Sequence, residues 1–238
     1  MVEVRVVVVG IEGSMNLGVI ARTCVNFGVE ELYLVNPIAS IEEALKYAAR
    51  GRDLLLKSPI VSDIEEALKG VDVSVATSAI GFSEGDLVRQ AIPIDVLVKS
   101  IPSRVTKLAL IFGRESTGLT REEILRSDFL ATIPANPEYP VLNISQSVAI
   151  FLWELWKQKS VKPVNVPPRA GRAEVENILL LLREITASSI SNRDKQARCE
   201  LVLRRTLYRS ALSMYETRVL LYWARRVLRK LKEQHSSR

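Results

Sequence analysis

Five short apolar runs, rich in β-branched residues, recur through the first half of the chain and just beyond, at residues 4–9, 31–35, 71–76, 107–112 and 129–133. Segments with apolar residues at helical spacing fall at 16–27, 41–48, 64–68, 94–98 and 120–125. Strands of this kind are apolar on both faces, so neither face can be left in water. Alternation with helices therefore implies an α/β fold, with a parallel sheet covered on both sides. Asp63 reads as the N-cap of the short helix 64–68, with Gly70 as its stop. A longer amphipathic helix spans 143–157, with Ile144, Val148, Phe151, Leu152 and Leu155 on one face.

Residues 159–173, KSVKPVNVPPRAGRA, carry three prolines and one glycine and read as a linker. It separates an α/β domain at 1–158 from a small helical domain at 174–238. Three apolar stripes at helical spacing follow the linker. The first is Val175, Ile178, Leu179, Leu182 and Ile185; the second is Ala197, Leu201, Leu207, Ala211 and Leu212. The third is Val219, Leu220, Trp223, Val227, Leu228 and Leu231.

Charge divides at the linker. Residues 1–160 hold 16 Lys and Arg against 20 Asp and Glu, a net of −4; residues 161–238 hold 17 against 7, a net of +10, which together give the chain's +6. Arg204, Arg205, Arg209, Arg225, Arg226, Arg229 and Lys230 dominate the basic part. A solvated face is the ordinary use of such a run. This density of arginine, whose planar fork suits phosphate, favours contact with a polyanion such as RNA.

Several chemistries are excluded. The one histidine, His235, lies in a polar basic tail, which removes Ser-His-Asp, Cys-His and His-ligated metal sites. Cys24 and Cys199 stand in separate segments and form neither a metal motif nor a disulfide framework. The longest apolar runs are roughly eight residues, against about 20 for a membrane-spanning helix, and no signal-peptide pattern opens the chain. A cytoplasmic, soluble protein is expected.

Four loops follow apolar runs. In EGSMNLGVIARTCVNFG, residues 12–28, Gly13 and Gly18 have the spacing of a phosphate-gripping loop, but Val19 and Ile20 stand where Lys and Ser or Thr are needed. The dinucleotide pattern G-x-G-x-x-G is also absent. At about 100° per residue, Ile20, Cys24 and Phe27 pack inward while Arg22 and Asn26 face away, and Asn16 is placed as the helix N-cap. In LALIFGRESTGLTREE, residues 108–123, Gly113 at a strand end allows a ligand close to the backbone, and Thr120 with Glu123 forms a capping box. Residues 133–145, IPANPEYPVLNIS, place three prolines in a stiff loop that enters a helix near Asn143. VATSAIG, at 75–81, ends a strand in small polar residues. Such loops at one sheet edge would grip a ligand mainly through backbone groups.

These stretches resemble the SpoU branch of the SPOUT methyltransferases. The N-x-G-x-x-x-R motif is matched by Asn16, Gly18 and Arg22, followed by Asn26-Phe27-Gly28. F-G-x-E-x-x-G-L is matched by Phe112-Gly113-Arg114-Glu115-Ser116-Thr117-Gly118-Leu119. The third motif corresponds to Ile133-Pro134 and Leu142-Asn143-Ile144-Ser145. Thr77-Ser78-Ala79 and the helical C-terminus are similar to the TrmJ type, and Val141 before Leu142-Asn143 matches its archaeal members. Ile80 replaces an arginine common in the family.

The resemblance implies a parallel-sheet SPOUT domain with a trefoil knot, a homodimer, and methyl transfer from S-adenosylmethionine, without metal, to a tRNA ribose 2′-hydroxyl. The target would be cytidine, or uridine, at anticodon-loop position 32. Thr77, Ser78, Ala79, Gly113, Ile133, Val141 and Leu142 would contact the methyl donor. Arg22 would act on the 2′-hydroxyl and its neighbouring phosphate, with Asn16, Glu115 and Asn143 positioning Arg22 and the ribose. A guanidinium is a poor base, so Arg22 would stabilise alkoxide charge whether or not it takes the proton. Arg204, Arg205, Arg209, Arg225 and Arg226 would hold RNA. The rival readings are a ribosomal RNA 2′-O-methyltransferase, a non-catalytic RNA-binding protein on the same fold, and a nucleotide-dependent oxidoreductase or hydrolase.

Overall fold

The computed structural model describes residues 2–159 and 166–236. Two compact units divide at residue 160. In the first, the elements run β1 (Glu3–Val9), α1 (Ser14–Asn26), β2 (Glu31–Val35), α2 (Ile41–Ala44), a 3₁₀ turn (Ala49–Gly51), α3 (Arg52–Lys57), β3 (Ile60–Val61), α4 (Ile64–Ala67) and β4 (Val73–Thr77). They continue with β5 (Ile92–Pro93), α5 (Ile94–Ser100), β6 (Lys107–Phe112), α6 (Arg121–Leu125), β7 (Phe129–Thr132) and α7 (Ile144–Lys157).

The strands make one seven-stranded sheet in the order β3-β2-β1-β6-β4-β7-β5, and every pairing in it is parallel. The five apolar runs are its interior. The two edge strands, β3 and β5, have two residues each and carry no alternation for a sequence pattern to show. Side chains alternate across the sheet. Val6, Val8, Leu108 and Leu110 therefore share one core with Ile20, Cys24, Val148 and Phe151 from α1 and α7. Val7, Val9, Ala109 and Ile111 share the other with Ile64 and Ile124 from α4 and α6.

Local capping follows the sequence at three helices. Asp63 accepts from Glu65 N at 2.9 Å, and Asn143 accepts from Ser145 N at 2.9 Å. Thr120 and Glu123 form the reciprocal capping box at the start of α6. At α1 the sequence expectation is corrected. The helix opens at Ser14 with Gly13 as N-cap and no side-chain cap bond, so Asn16 lies inside the first turn. Its amide is free for another use. Phe27 ends α1 as its C-cap, half-buried against Trp156 with ring centroids 6.1 Å apart.

The second unit consists of α8 (Arg172–Ser189), α9 (Arg193–Arg209) and α10 (Met214–Ser236), with α8 packed against both others. Residues 160–165 of the expected linker, and the side chain of His235, lie outside the described residues. The later part of that linker packs within the helical unit. Ala170 N donates to Leu212 O, Met214 N donates to Pro168 O, and Arg169 Nη1 donates to Ala211 O. Two stripe expectations are corrected. α9 ends at Arg209, before Ala211 and Leu212, and Ala211 takes a left-handed backbone at φ +49 that no helix continues. On α10 the buried side is formed by Thr217, Ala224 and Leu228, while Val219 and Trp223 are about half exposed. No helix among the described residues is long and apolar enough to cross a membrane.

Candidate functional site

A cavity of about 570 Å³ opens at the carboxyl ends of three neighbouring strands, β6, β4 and β7. This is where open parallel sheets hold small ligands. The end of β4 contributes Thr77, Ser78 and Ala79 to its wall. The end of β6 contributes Phe112, Gly113 and Glu115. Beyond β7 come Ile133 and then Val141, Leu142 and Asn143 of the proline-rich loop, and Asn16 closes the side nearest α1. The seven residues expected to meet the methyl donor thus share one cavity wall. Apolar Ile133, Leu142 and Phe151 line it together with polar Asn16 and Glu115.

Chain geometry holds these loops in place. Thr77 Oγ1 donates to Ile111 O at 2.9 Å, and Ser78 N donates to Ala131 O at 3.0 Å, fixing the end of β4 against both neighbouring strands. After β6 the chain turns back on itself, with paired backbone bonds between Arg114 and Gly118. A Cβ on Gly113 would overlap the backbone of Gly118 and Leu119. The absent side chain at Gly113 therefore serves this return of the loop first, and any ligand approach second. The Arg114 guanidinium forks onto Glu123, with both N–O distances 3.0 Å, and Glu123 accepts from Thr120 N as well. The loop is thereby tied to the start of α6.

Glu115 organises the opposite side. Its carboxylate accepts from Glu12 N at 2.8 Å, Gly13 N at 3.0 Å and Asn16 Nδ2 at 3.0 Å. Asn143 Nδ2 donates to Asn16 Oδ1 at 3.1 Å, while Asn143 Oδ1 receives Ser145 N and Ser145 Oγ. Asn16, Glu115 and Asn143 thus form one chain of bonds joining α1, the β6 loop and α7. Burial raises the Glu115 pKa, but the hydrogen bonds from Asn16, Glu12 and Gly13 outweigh it and hold the group below its ordinary value. The carboxylate stays ionised and acts as an acceptor only.

Arg22 stands apart from this chain. It is exposed, does not line the cavity, and makes no hydrogen bond or ion pair with a described residue. Six positions after Asn16 place it about 240° around α1 and about 9 Å along it. Asn16, Glu115 and Asn143 therefore do not hold Arg22 within one chain. Gly51 packs directly on the Ala21–Arg22 backbone, where a Cβ would not fit, so the position of the helix at Arg22 is closely set.

In the helical unit, Arg204 is already engaged. It pairs with Glu176 at 3.0 Å and lies over the Tyr208 ring at 5.3 Å. Tyr208 Oη donates to the same carboxylate at 2.6 Å. Arg209 Nε donates to Arg205 O at 3.1 Å. Arg205, Arg209, Arg225 and Arg226 are exposed, and Arg226 lies over Tyr222 at 5.7 Å.

Sequence reasoning missed Arg89 and Tyr139, which also line the cavity. Arg89 sits in a loop with no periodic signal. Tyr139, 76% exposed between Glu138 and Pro140, could have been noticed as an aromatic on a rigid turn.

Fold and site together define an α/β protein with a cavity at the carboxyl ends of a parallel sheet, walled by strand-end loops and one ionised glutamate. Residues 3–153 match the SpoU rRNA Methylase family, and the chain belongs to that family. The tRNA (cytidine-2′-O-)-methyltransferase TrmJ of Sulfolobus acidocaldarius is 41% identical over 232 residues, covering 96% of this chain and 93% of its own. The enzyme of the same name from Methanocaldococcus jannaschii is 30% identical over 225 residues, covering 92% and 97%. Among solved structures, TrmJ from Z. mobilis superposes with a TM-score of 0.65 at 22% identity, covering 97% of this chain and 99% of that one, which establishes the likeness of fold.

Proposed function

We propose that this chain transfers a methyl group from S-adenosylmethionine to the ribose 2′-hydroxyl of a tRNA cytidine, at anticodon-loop position 32. The observation that carries this reading is the 41% identity, over 96% of the chain, to a cytidine-2′-O-methyltransferase acting on tRNA. The cavity supports it. At about 570 Å³ it lies within the size range of small-ligand sites, about 300–1,000 Å³, and both apolar and polar residues line it.

When bound, S-adenosylmethionine supplies an electrophilic methyl on a sulfonium. The ribose oxygen would take that methyl with the neutral thioether as leaving group, and its proton would pass to solvent water. The residues of this chain align and stabilise. Thr77, Ser78, Ala79, Gly113, Ile133, Val141 and Leu142 hold the donor through backbone and apolar contact. The Asn16–Glu115–Asn143 chain fixes the loops that face the ribose. Alignment of this kind is worth several orders of magnitude in rate.

Arg22, turned away from its own cavity, serves the cavity of a second copy in a homodimer. There it holds the phosphate beside the target ribose and stabilises the developing alkoxide. The proline-rich 133–143 loop and α7 form the knotted end of the domain. The helical unit, through Arg205, Arg209, Arg225 and Arg226, binds tRNA phosphates. Residues 1–158 form the catalytic domain and 174–238 the RNA-holding one.

The test is transfer of labelled methyl from S-adenosylmethionine to tRNA and to ribosomal RNA, with calorimetry of donor binding alongside. Arg22→Ala should bind the donor normally and lose nearly all transfer. A variant that keeps a tenth of wild-type transfer would remove Arg22 from the reaction. Methylation of ribosomal RNA but not tRNA would favour the ribosomal alternative.

A further inference from the structure

α10 carries an exposed arc unlike the rest of the helical unit. Its buried side is marked by Thr217, Ala224 and Leu228. At about 100° per residue, the opposite side presents Tyr215, Arg218, Val219, Tyr222, Arg226 and Arg229 in one band, with Trp223 and Arg225 at its margins. Tyr215 is 73% exposed, Tyr222 63% and Trp223 51%. Tyr215 and Tyr222 lie about 10.5 Å apart along the helix.

The arc is strongly positive up to Glu233, which falls on the same band one turn past Arg229. From Thr217 to Lys232 the sequence contains no Asp or Glu. The ion pairs of this unit among the described residues are Arg183–Glu200, Arg204–Glu176 and Lys232–Glu184, none of them on the arc. Arg226 instead lies over the Tyr222 ring, its guanidinium carbon 5.7 Å from the centroid.

An apolar partner helix would bury the aromatic rings but leave Arg218, Arg225 and Arg226 facing it without counter-charge. A duplex would satisfy the arginines and leave the rings idle, because its bases are already stacked on one another. An unpaired nucleotide satisfies both, since its base has a flat face for an aromatic ring and its phosphate suits an arginine. We infer that this arc of α10 binds single-stranded RNA, stacking an unpaired base on Tyr222 while Arg218, Arg226 and Arg229 hold the flanking phosphates. The inference rests on the RNA-methylating reading and deepens it. The arc selects an open loop over a stem, whereas arginines alone would bind either.

The test uses the full chain, a short oligouridine and a GC-rich RNA duplex of equal length, followed by fluorescence anisotropy at several salt concentrations. Tyr222→Ala should weaken oligouridine binding about ten-fold, with the salt slope and duplex affinity unchanged. Tyr222→Phe should retain wild-type affinity, because the ring and not the hydroxyl makes the stack. Arg226→Gln combined with Arg229→Gln should lower the salt slope for oligouridine by about 1.4. These side chains are exposed, so thermal melts should match wild type, and Tyr215→Ala gives a second, independent loss on the same arc.

Equal oligouridine binding by wild type and Tyr222→Ala overturns the inference, as does an equal loss in Tyr222→Phe. A change of sedimentation mass in Tyr222→Ala overturns it too, by making the arc a contact between copies. If the wild-type chain binds neither oligouridine nor tRNA, the RNA-methylating reading itself fails. If it binds tRNA and Tyr222→Ala binds oligouridine unchanged, only the stacking inference fails.

Discussion

Asn16 Nδ2 donates to Glu115 Oε1 at 3.0 Å, joining residues 99 positions apart in sequence. The bond ties the first turn of α1 to the loop after β6. Asn143 extends it to α7 through Asn16 Oδ1. Three separate sequence motifs thereby become one wall of the cavity.

Glu115 is the hub of that wall, so its charge should matter for shape. Glu115→Gln keeps the size of the side chain but replaces one acceptor oxygen with an NH₂ that must face the donors Glu12 N, Gly13 N and Asn16 Nδ2. Breaking one or two of these charge-assisted bonds should cost about 1–3 kcal/mol in urea denaturation. Donor affinity and methyl transfer should fall together, because both loops lose their tie. Unchanged stability would show that the network is incidental.

Gly113 should tolerate no side chain. Gly113→Ala places a methyl against the Gly118–Leu119 backbone, which has no flexible end to yield. Overpacking of this kind costs about 1–3 kcal/mol. The loop should also shift away from β6 and open the cavity, so calorimetry should find weakened S-adenosylmethionine binding. Gly85→Ala is an informative contrast. Its added Cβ meets nothing within 4 Å, although φ +76 carries its own backbone strain, and donor binding should be unaffected.

A pH dependence should trace to Asp72. The Thr106 hydroxyl and the N–H groups of Lys107 and Thr106 hold its carboxyl at about 2, against an ordinary 3.8. The folded value lies below the unfolded one, so the stabilisation is complete above pH 3.8 and disappears as pH falls toward 2. Asp72→Asn should be less stable than wild type near neutrality, with the difference shrinking through that window. Thermal melts at a series of pH values would show it, and a difference constant down to pH 2 would exclude Asp72 as its source.

Much of the sheet was legible because its interior strands are buried on both faces, and uninterrupted runs such as residues 107–112 leave little choice of element. The edge strands were not legible, because two residues carry no periodicity. Asn16 was misplaced as a cap for a physical reason. Gly13 opens α1 in extended backbone without lending it a side chain, and glycine competes with asparagine as an N-cap. On α10, Val219 and Trp223 fit an apolar stripe, but Thr217 and Ala224 mark the buried side instead. The wall shared by Asn16, Glu115 and Asn143 could be assembled from motifs alone, because their order in the chain is a signature of the family. That Arg22 faces away from the packed side of α1 was legible from helical spacing, but that Asn16, Glu115 and Asn143 bond one another and not Arg22 was not, since it depends on contacts between distant segments.

The central claim is tested most directly by mapping ribose methylation, by nuclease digestion and mass spectrometry, on tRNA incubated with this protein and S-adenosylmethionine. The expected result is a single added methyl on the ribose of cytidine 32, absent when Arg22→Ala replaces the wild type. A methyl on a base, a ribose methyl elsewhere in the tRNA, or no methylation of tRNA by a protein that binds the donor would contradict it.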